Sequence, residues 1–162
     1  MARKRRKRTN SEVPAKGRLR DIADRLWSLA VRADWNHQCA VCGKRGGRLD
    51  AHHLIPRQHQ RTRYELRNGI CLCVHHHQFD PHLSPHQNAA GWINWLKRHH
   101  EQLYGWYGNV TATGEYQWPP VEYPTINADY YCDQIWCLRE YVEEWESVVG
   151  VRFAAYLDGQ HA

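Results

Sequence analysis

Apolar residues recur at helical spacing between Gly17 and Asp34, where Leu19, Ile22, Ala23, Leu26, Trp27, Ala30 and Val31 fall on one side. Arg18, Arg20, Arg25 and Arg32 occupy the rest of the surface, so the stretch predicts an amphipathic helix packed on a core. Residues 49–55, Leu-Asp-Ala-His-His-Leu-Ile, are short and apolar at both ends and read as a strand; Gly69 to Val74 reads as a second. The polar residues 57–68 between them form a loop. Ser84-Pro85-His86-Gln87 has the form of a capping box with Pro at the first helical position. It predicts a helix to about Tyr104, with Trp92, Ile93, Trp95, Leu96, Leu103 and Tyr104 available for burial. Residues 105–131, rich in Tyr, Trp, Pro and Gly, suggest strands and turns only. A last helix is expected from Asp133, whose charge suits the dipole, with Ile135, Trp136, Leu138, Tyr141, Val142 and Trp145 on its apolar side.

Charge divides the chain. Residues 1–104 carry 20 Lys and Arg against 8 Asp and Glu, a net of +12; residues 105–162 carry 2 against 9, a net of −7. The basic part is the candidate for a polyanion. Arg3, Lys4, Arg5, Arg6, Lys7 and Arg8 cannot build a core, and residues 1–15 are expected to be a disordered tail that condenses on phosphates by releasing counterions. The length suits one domain with extensions: residues 16–104, then an acidic, aromatic-rich extension over 105–162. The extension offers a docking surface to a protein partner. With a mean hydropathy of −0.80 and no long apolar run, neither a membrane span nor a signal peptide is visible, and a cytoplasmic protein is expected.

Six cysteines in such a chain point to metal before disulfides. Cys39-Ala-Val-Cys42-Gly43 is a two-residue knuckle whose glycine relieves the turn. Its partner pair must lie in Cys71-Leu-Cys73-Val-His75-His76-His77, where Cys73-x-x-His76 repeats the spacing. Cys71-x-Cys73 is too tight for a knuckle, and on a strand Cys71 shares a face with Cys73, as a rival or a packed neighbour. A structural zinc on Cys39, Cys42, Cys73 and His76, with Cys71 buried, is the expected arrangement. Cys132 and Cys137 have no partner pair and are expected in the core. His52 and His53 are adjacent on a strand and face opposite ways, so one can bind a metal while the other meets substrate. His77, at the start of a helix packed on the strands, is available as a further ligand. His37, His59, His75, His86, His99, His100 and His161 read as solvated or helix-surface residues.

Cys-x-x-Cys, then Asp-Ala-His-His-Leu-Ile-Pro, then Asn-Gly-Ile-Cys-Leu-Cys, then His-His, in that order and at these distances, resembles the HNH endonucleases across roughly residues 20–104. The likeness is to small phage-type members with zinc knuckles. It implies an α+β chain with a ββα-metal (His-Me finger) core, and it places the three hallmark residues on His53, Asn68 and His77. By resemblance, His53 is the general base that takes a proton from the attacking water, a task suited to an imidazole. His52 and His77 hold one divalent cation, Mg²⁺, Mn²⁺, Ni²⁺ or Zn²⁺, against the scissile phosphate. Asn68 bridges the loop and orients His53. The products would carry 5′ phosphate and 3′ hydroxyl. Two positions depart from the family: the fourth zinc ligand, usually Cys, is His76, and a further metal-binding His often found four residues after the place of His77 is here Pro81, with His82 one place later. Arg57, Arg61, Arg63 and Arg67 are the expected clamp on the backbone of double-stranded DNA. The competing reading is a zinc-stabilised DNA-binding module without catalysis, against which the intact His53, Asn68 and His77 count.

Overall fold

The structure, a computed structural model, describes residues 16–113 and 126–149, with side chains to residue 144. The expected basic tail, residues 114–125 and Trp145 of the last helix lie outside what is described.

Helix α1 (Lys16–Asp34) follows its apolar stripe: Leu19, Ala23, Leu26, Trp27, Leu29, Ala30 and Val31 are buried. Beyond Asp34 the chain reverses through Asn36 and His37, both in the left-handed region at φ 50° and 49°. This delivers Cys39 to a tight knuckle, in which the Gly43 amide donates to the Cys39 carbonyl at 2.8 Å. Strand β1 (Leu49–His53) and strand β2 (Gly69–Cys73) then pair antiparallel, in register from Leu49 opposite Cys73 to His53 opposite Gly69. A π-helical turn, His75–Phe79, leaves β2.

The hairpin separates two apolar clusters. One face meets α1: a side chain on Gly69 would stand 2.2 Å from a Val31 methyl carbon, so only glycine permits this approach of strand to helix. The other carries Ile70 and Leu72 into a cluster with Leu54, Cys39 and, from helix α2 (Ala89–His99), Trp92, Trp95 and Leu96. Both faces of β2 are therefore covered, and all five of its residues are buried.

Three elements differ from expectation. Residues 85–87 form a turn rather than a first helical turn. Ser84 Oγ does receive the amides of His86 and Gln87, but the Gln87 side chain donates to the Gln78 carbonyl instead of closing the box. The helix starts at Ala89, capped by Asn88, which accepts from the Gly91 amide at 2.9 Å. It breaks at His100, and helix α3 (Glu101–Thr113) turns residues 105–113, read as strands and turns, into helix. Helix α4 (Ala128–Val149) begins five residues before Asp133; Asn127 accepts the Tyr130 amide at 3.0 Å.

Tyr130, Tyr131, Leu138 and Val142 of α4 pack on α1, in one cluster with Leu26 and Trp27. Two α4 expectations fail: Cys132 and Cys137 are exposed rather than in the core, and Trp136 is 62% exposed. The buried positions recur along the line of 131, 138 and 142, which turns 132, 136 and 137 outward.

Gly69→Ala should destabilise the protein by about 1–3 kcal/mol through overpacking against Val31, read as a lower denaturant midpoint. Combining it with Val31→Ala should cost less than the sum of the two single changes, because the smaller side chain makes room for the new methyl.

Candidate functional site

The knuckle and the end of β2 bring Cys39, Cys42, Cys73 and His76 together, with all four ligand atoms within 4.8 Å of one another. Cys39 Sγ and Cys73 Sγ stand 3.6 and 3.2 Å from His76 Nδ1. Ligands held at about 2.0–2.3 Å from a tetrahedral zinc lie about 3.3–3.8 Å apart, so the set fits that ion. Burial opposes ionisation of the Cys39 thiol, but the backbone amides around it, those of Cys73, Cys42 and Val41, more than offset this and hold it below its ordinary value. A thiolate is the form that binds metal. His76 is held below its usual range, chiefly by burial, which favours the neutral ring that can bind metal. Cys71 lies outside the cluster. It is fully buried, and burial pushes its thiol up to about 12.

On β1, alternation sends His52 and His53 to opposite faces. His52 Nδ1 lies 3.3 Å from His77 Nε2, and His86 Nε2 lies 3.2 Å from the same atom. These three rings form a second cluster of candidate ligands. His77 Nδ1 is 3.0 Å from Asp50 Oδ2, an acceptor, which places a proton on Nδ1 and turns Nε2 toward the other two rings. Burial works against ionisation of Asp50, but hydrogen bonds from His77 and Arg48 outweigh it and hold the carboxyl below its usual range. Burial, with His77 and His86 adding to it, lowers His52 to about 3, so its ring is neutral near pH 7. The separations of 3.3 and 3.2 Å about His77 Nε2 are close to the edge of about 3.4 Å between nitrogens held about 2.1 Å from one tetrahedral cation, so the three rings could hold an ion.

His86 was expected to be merely a surface residue. It is exposed, yet the turn carrying it is tied to the His77 turn. Ser84, fully buried, donates its hydroxyl to the His77 carbonyl at 2.7 Å and receives the His86 amide. His82 is not in the cluster; its amide donates to Asp80 Oδ1 and its side chain is exposed. Asp50, Ser84 and His86 were missed. Asp50 was visible in principle, since it stands two residues before His52 on a strand and so shares its face. The separation of nine positions between His77 and His86 matches no metal-ligand spacing.

His53 faces α1. Its ring stacks on Trp27 with centroids 3.6 Å apart and planes at 13°, and Nε2 donates to the Arg63 carbonyl at 2.9 Å. A carbonyl can only accept, so Nε2 carries the proton and Nδ1 keeps its lone pair. Burial lowers His53 to about 4, which leaves it unprotonated near neutral pH. Asn68, also fully buried, ties the loop between the strands. It accepts the Ile55 amide at 2.7 Å and donates to the carbonyls of Ile55 and Thr62 at 3.0 Å. It touches the loop that ends in Arg63 rather than His53 itself.

The expected clamp is divided. Arg57, Arg61 and Arg67 are exposed. Arg63 is corrected: it is 8% exposed, paired with both carboxylate oxygens of Asp24 and donating to the Arg57 carbonyl, so its guanidinium is directed into the protein.

Residues 39–84 match the family model described as HNH endonuclease. No curated protein and no solved structure matches the chain. The matched segment opens at the knuckle, runs through both strands and the His75–Phe79 turn, and ends at Ser84. With an antiparallel strand pair followed by helix, and a Cys/His cluster that could hold a metal ion, residues 39–84 are similar to the HNH endonuclease family and are consistent with its ββα-metal fold.

Proposed function

We propose that the protein is a metal-dependent endonuclease that hydrolyses phosphodiester bonds in duplex DNA. The observation that carries this reading is the division of labour at His52–His53: one ring joins a cluster of metal-type ligands, while its neighbour, held in a single tautomer, has an unused lone pair. A non-catalytic zinc module has no need of the second arrangement. A phage or prophage setting follows only from likeness to small phage-type members of the family.

His52, His77 and His86 would hold the catalytic ion, which when bound supplies Lewis-acid stabilisation of the charge developing on the phosphate and the leaving 3′ oxygen. Imidazole ligands favour Zn²⁺ or Ni²⁺ over Mg²⁺. His53 Nδ1 accepts the proton of the attacking water; its Nε2–H stays on the Arg63 carbonyl, so the ring does not rotate as it becomes protonated. Asn68 holds the loop that positions that carbonyl. Cys39, Cys42, Cys73 and His76 would hold a structural zinc. Arg57, Arg61 and Arg67 contact the DNA backbone, with the basic tail as a further arm.

In a plasmid-cleavage assay with a series of divalent ions, His53→Ala should lower the rate about 10²–10⁴-fold while DNA binding persists. Cleavage at the parent rate sinks the assignment. His86→Ala should raise the ion concentration needed for half-maximal cleavage about 10–100-fold, as loss of a metal-supporting group does, with partial rescue by excess ion. An unchanged requirement removes His86 from the site.

Purified protein should contain one tightly held zinc, found by elemental analysis. Cys73→Ser should lose it and aggregate, because such sites contribute about 10–16 kcal/mol to folding. Cys71→Ser should retain it; the reverse pattern would show that the wrong thiol was assigned.

Binding to duplex DNA should weaken steeply with salt, and removing residues 1–8 should flatten that slope without abolishing cleavage. Coincident slopes for the two proteins would exclude the tail as a DNA arm.

A further inference from the structure

Helix α1 lies outside the segment that matches the HNH family, yet two of its side chains converge on His53. The Trp27 indole covers one face of the imidazole, and its Nε1–H donates to the Glu65 carbonyl at 3.0 Å. Asp24, three residues earlier and therefore on the same side of the helix, grips Arg63 with both carboxylate oxygens, at 2.6 and 2.9 Å. Arg63 in turn supplies the carbonyl that receives the His53 Nε2–H.

Holding an imidazole for proton transfer requires a fixed plane, a fixed rotation within that plane and a fixed tautomer. The indole fixes the plane. The Arg63 carbonyl fixes the rotation and the tautomer. That carbonyl is itself held from two directions, by Asn68 through the Thr62 carbonyl and by Asp24 through the Arg63 guanidinium. A largely buried ion pair contributes little net stability relative to an apolar pair of the same shape, so the Asp24–Arg63 contact is better suited to fixing geometry than to holding α1 in place.

We propose that Asp24 and Trp27 are positioning residues for His53, so that α1 is part of the hydrolytic machinery as well as of the core. The proposal rests on the reading of His53 as the general base.

The test is a double-mutant cycle on the full chain, with cleavage rates measured at saturating catalytic ion and zinc content measured for each variant. Asp24→Asn keeps the side-chain shape and removes the charge. Trp27→Leu removes the ring, and Trp27→Phe keeps one. Asp24→Asn and Trp27→Leu should each lower kcat about 10–100-fold, the usual cost of loosening a reacting group, with KM for DNA and zinc content unchanged. Trp27→Phe should recover most of the loss. In a His53→Ala background the same changes should alter the rate less than about twofold, because they act through a ring that is gone. In the NMR spectrum of the zinc-loaded protein, the His53 Cε1–H resonance should be shifted upfield by the stacked indole and lose that shift in Trp27→Leu.

Equal losses in both backgrounds, with His53→Ala itself impaired, overturn the positioning proposal and leave the base assignment standing. Losses confined to KM or accompanied by loss of zinc also overturn it. A fully active His53→Ala removes the base assignment and this proposal together. If Trp27→Leu does not fold, Asp24→Asn decides the cycle alone, since that side chain is one-third exposed.

Discussion

The register between β1 and β2 governs the arrangement of the site. His52 stands opposite Ile70 and His53 opposite Gly69. Because consecutive strand residues point to opposite faces, this pairing sends His52 toward His77 and Trp92 and sends His53 toward Trp27. A slip of one residue would exchange the two rings and place each beside the other's partners. Several features hold the register. Cys73 ends β2 as a member of the Cys/His cluster, Gly69 begins it against Val31 with no room for a side chain, and the Trp35 indole donates to the Gly69 carbonyl at 3.2 Å. The two ends of a five-residue strand are thus pinned by different chemistry, metal-type ligands at one and close packing at the other.

The site is layered outward from these strands. Asp50 sets the tautomer of His77, and the Arg63 carbonyl sets that of His53. The two rings are held the same way, by an acceptor on the nitrogen that the proposed chemistry does not use. Their environments leave both His52 and His53 unprotonated near neutral pH, one suited to a cation and the other to a proton. Helix α1 then closes the His53 side, and α4 packs on α1 through Tyr130, Tyr131, Leu138 and Val142. The C-terminal helix therefore shares a core with the residues that surround the proposed base, whatever further partner the extension has.

The parts legible in the sequence were those with local periodicity. The α1 stripe, the two short strands and the paired Cys-x-x-Cys and Cys-x-x-His spacings each depend on residues close in the chain, and the structure has these elements where the pattern put them. What the sequence hid was set by contacts between distant segments. Arg63 looked like one of four equivalent loop arginines until the fold placed Asp24 beside it, 39 positions away. His86 looked like a surface histidine because its approach to His77 depends on the Ser84 hydroxyl folding one turn onto another. The capping-box signal at Ser84 was real chemistry in the wrong element: the hydroxyl does receive the Gln87 amide, but in a tight turn, and Asn88 caps the helix instead.

The central claim is that one strand pair carries two distinct candidate ion sites together with a base whose Nδ1 lone pair is unused. Anomalous diffraction from crystals of the protein with duplex DNA and Mn²⁺, recorded at the zinc and manganese edges, tests it most directly. The account predicts a zinc peak among Cys39, Cys42, Cys73 and His76, a manganese peak among His52, His77 and His86, and the scissile phosphate between that second peak and His53 Nδ1. A single peak, or a second ion bound without His52 and His77, would contradict it.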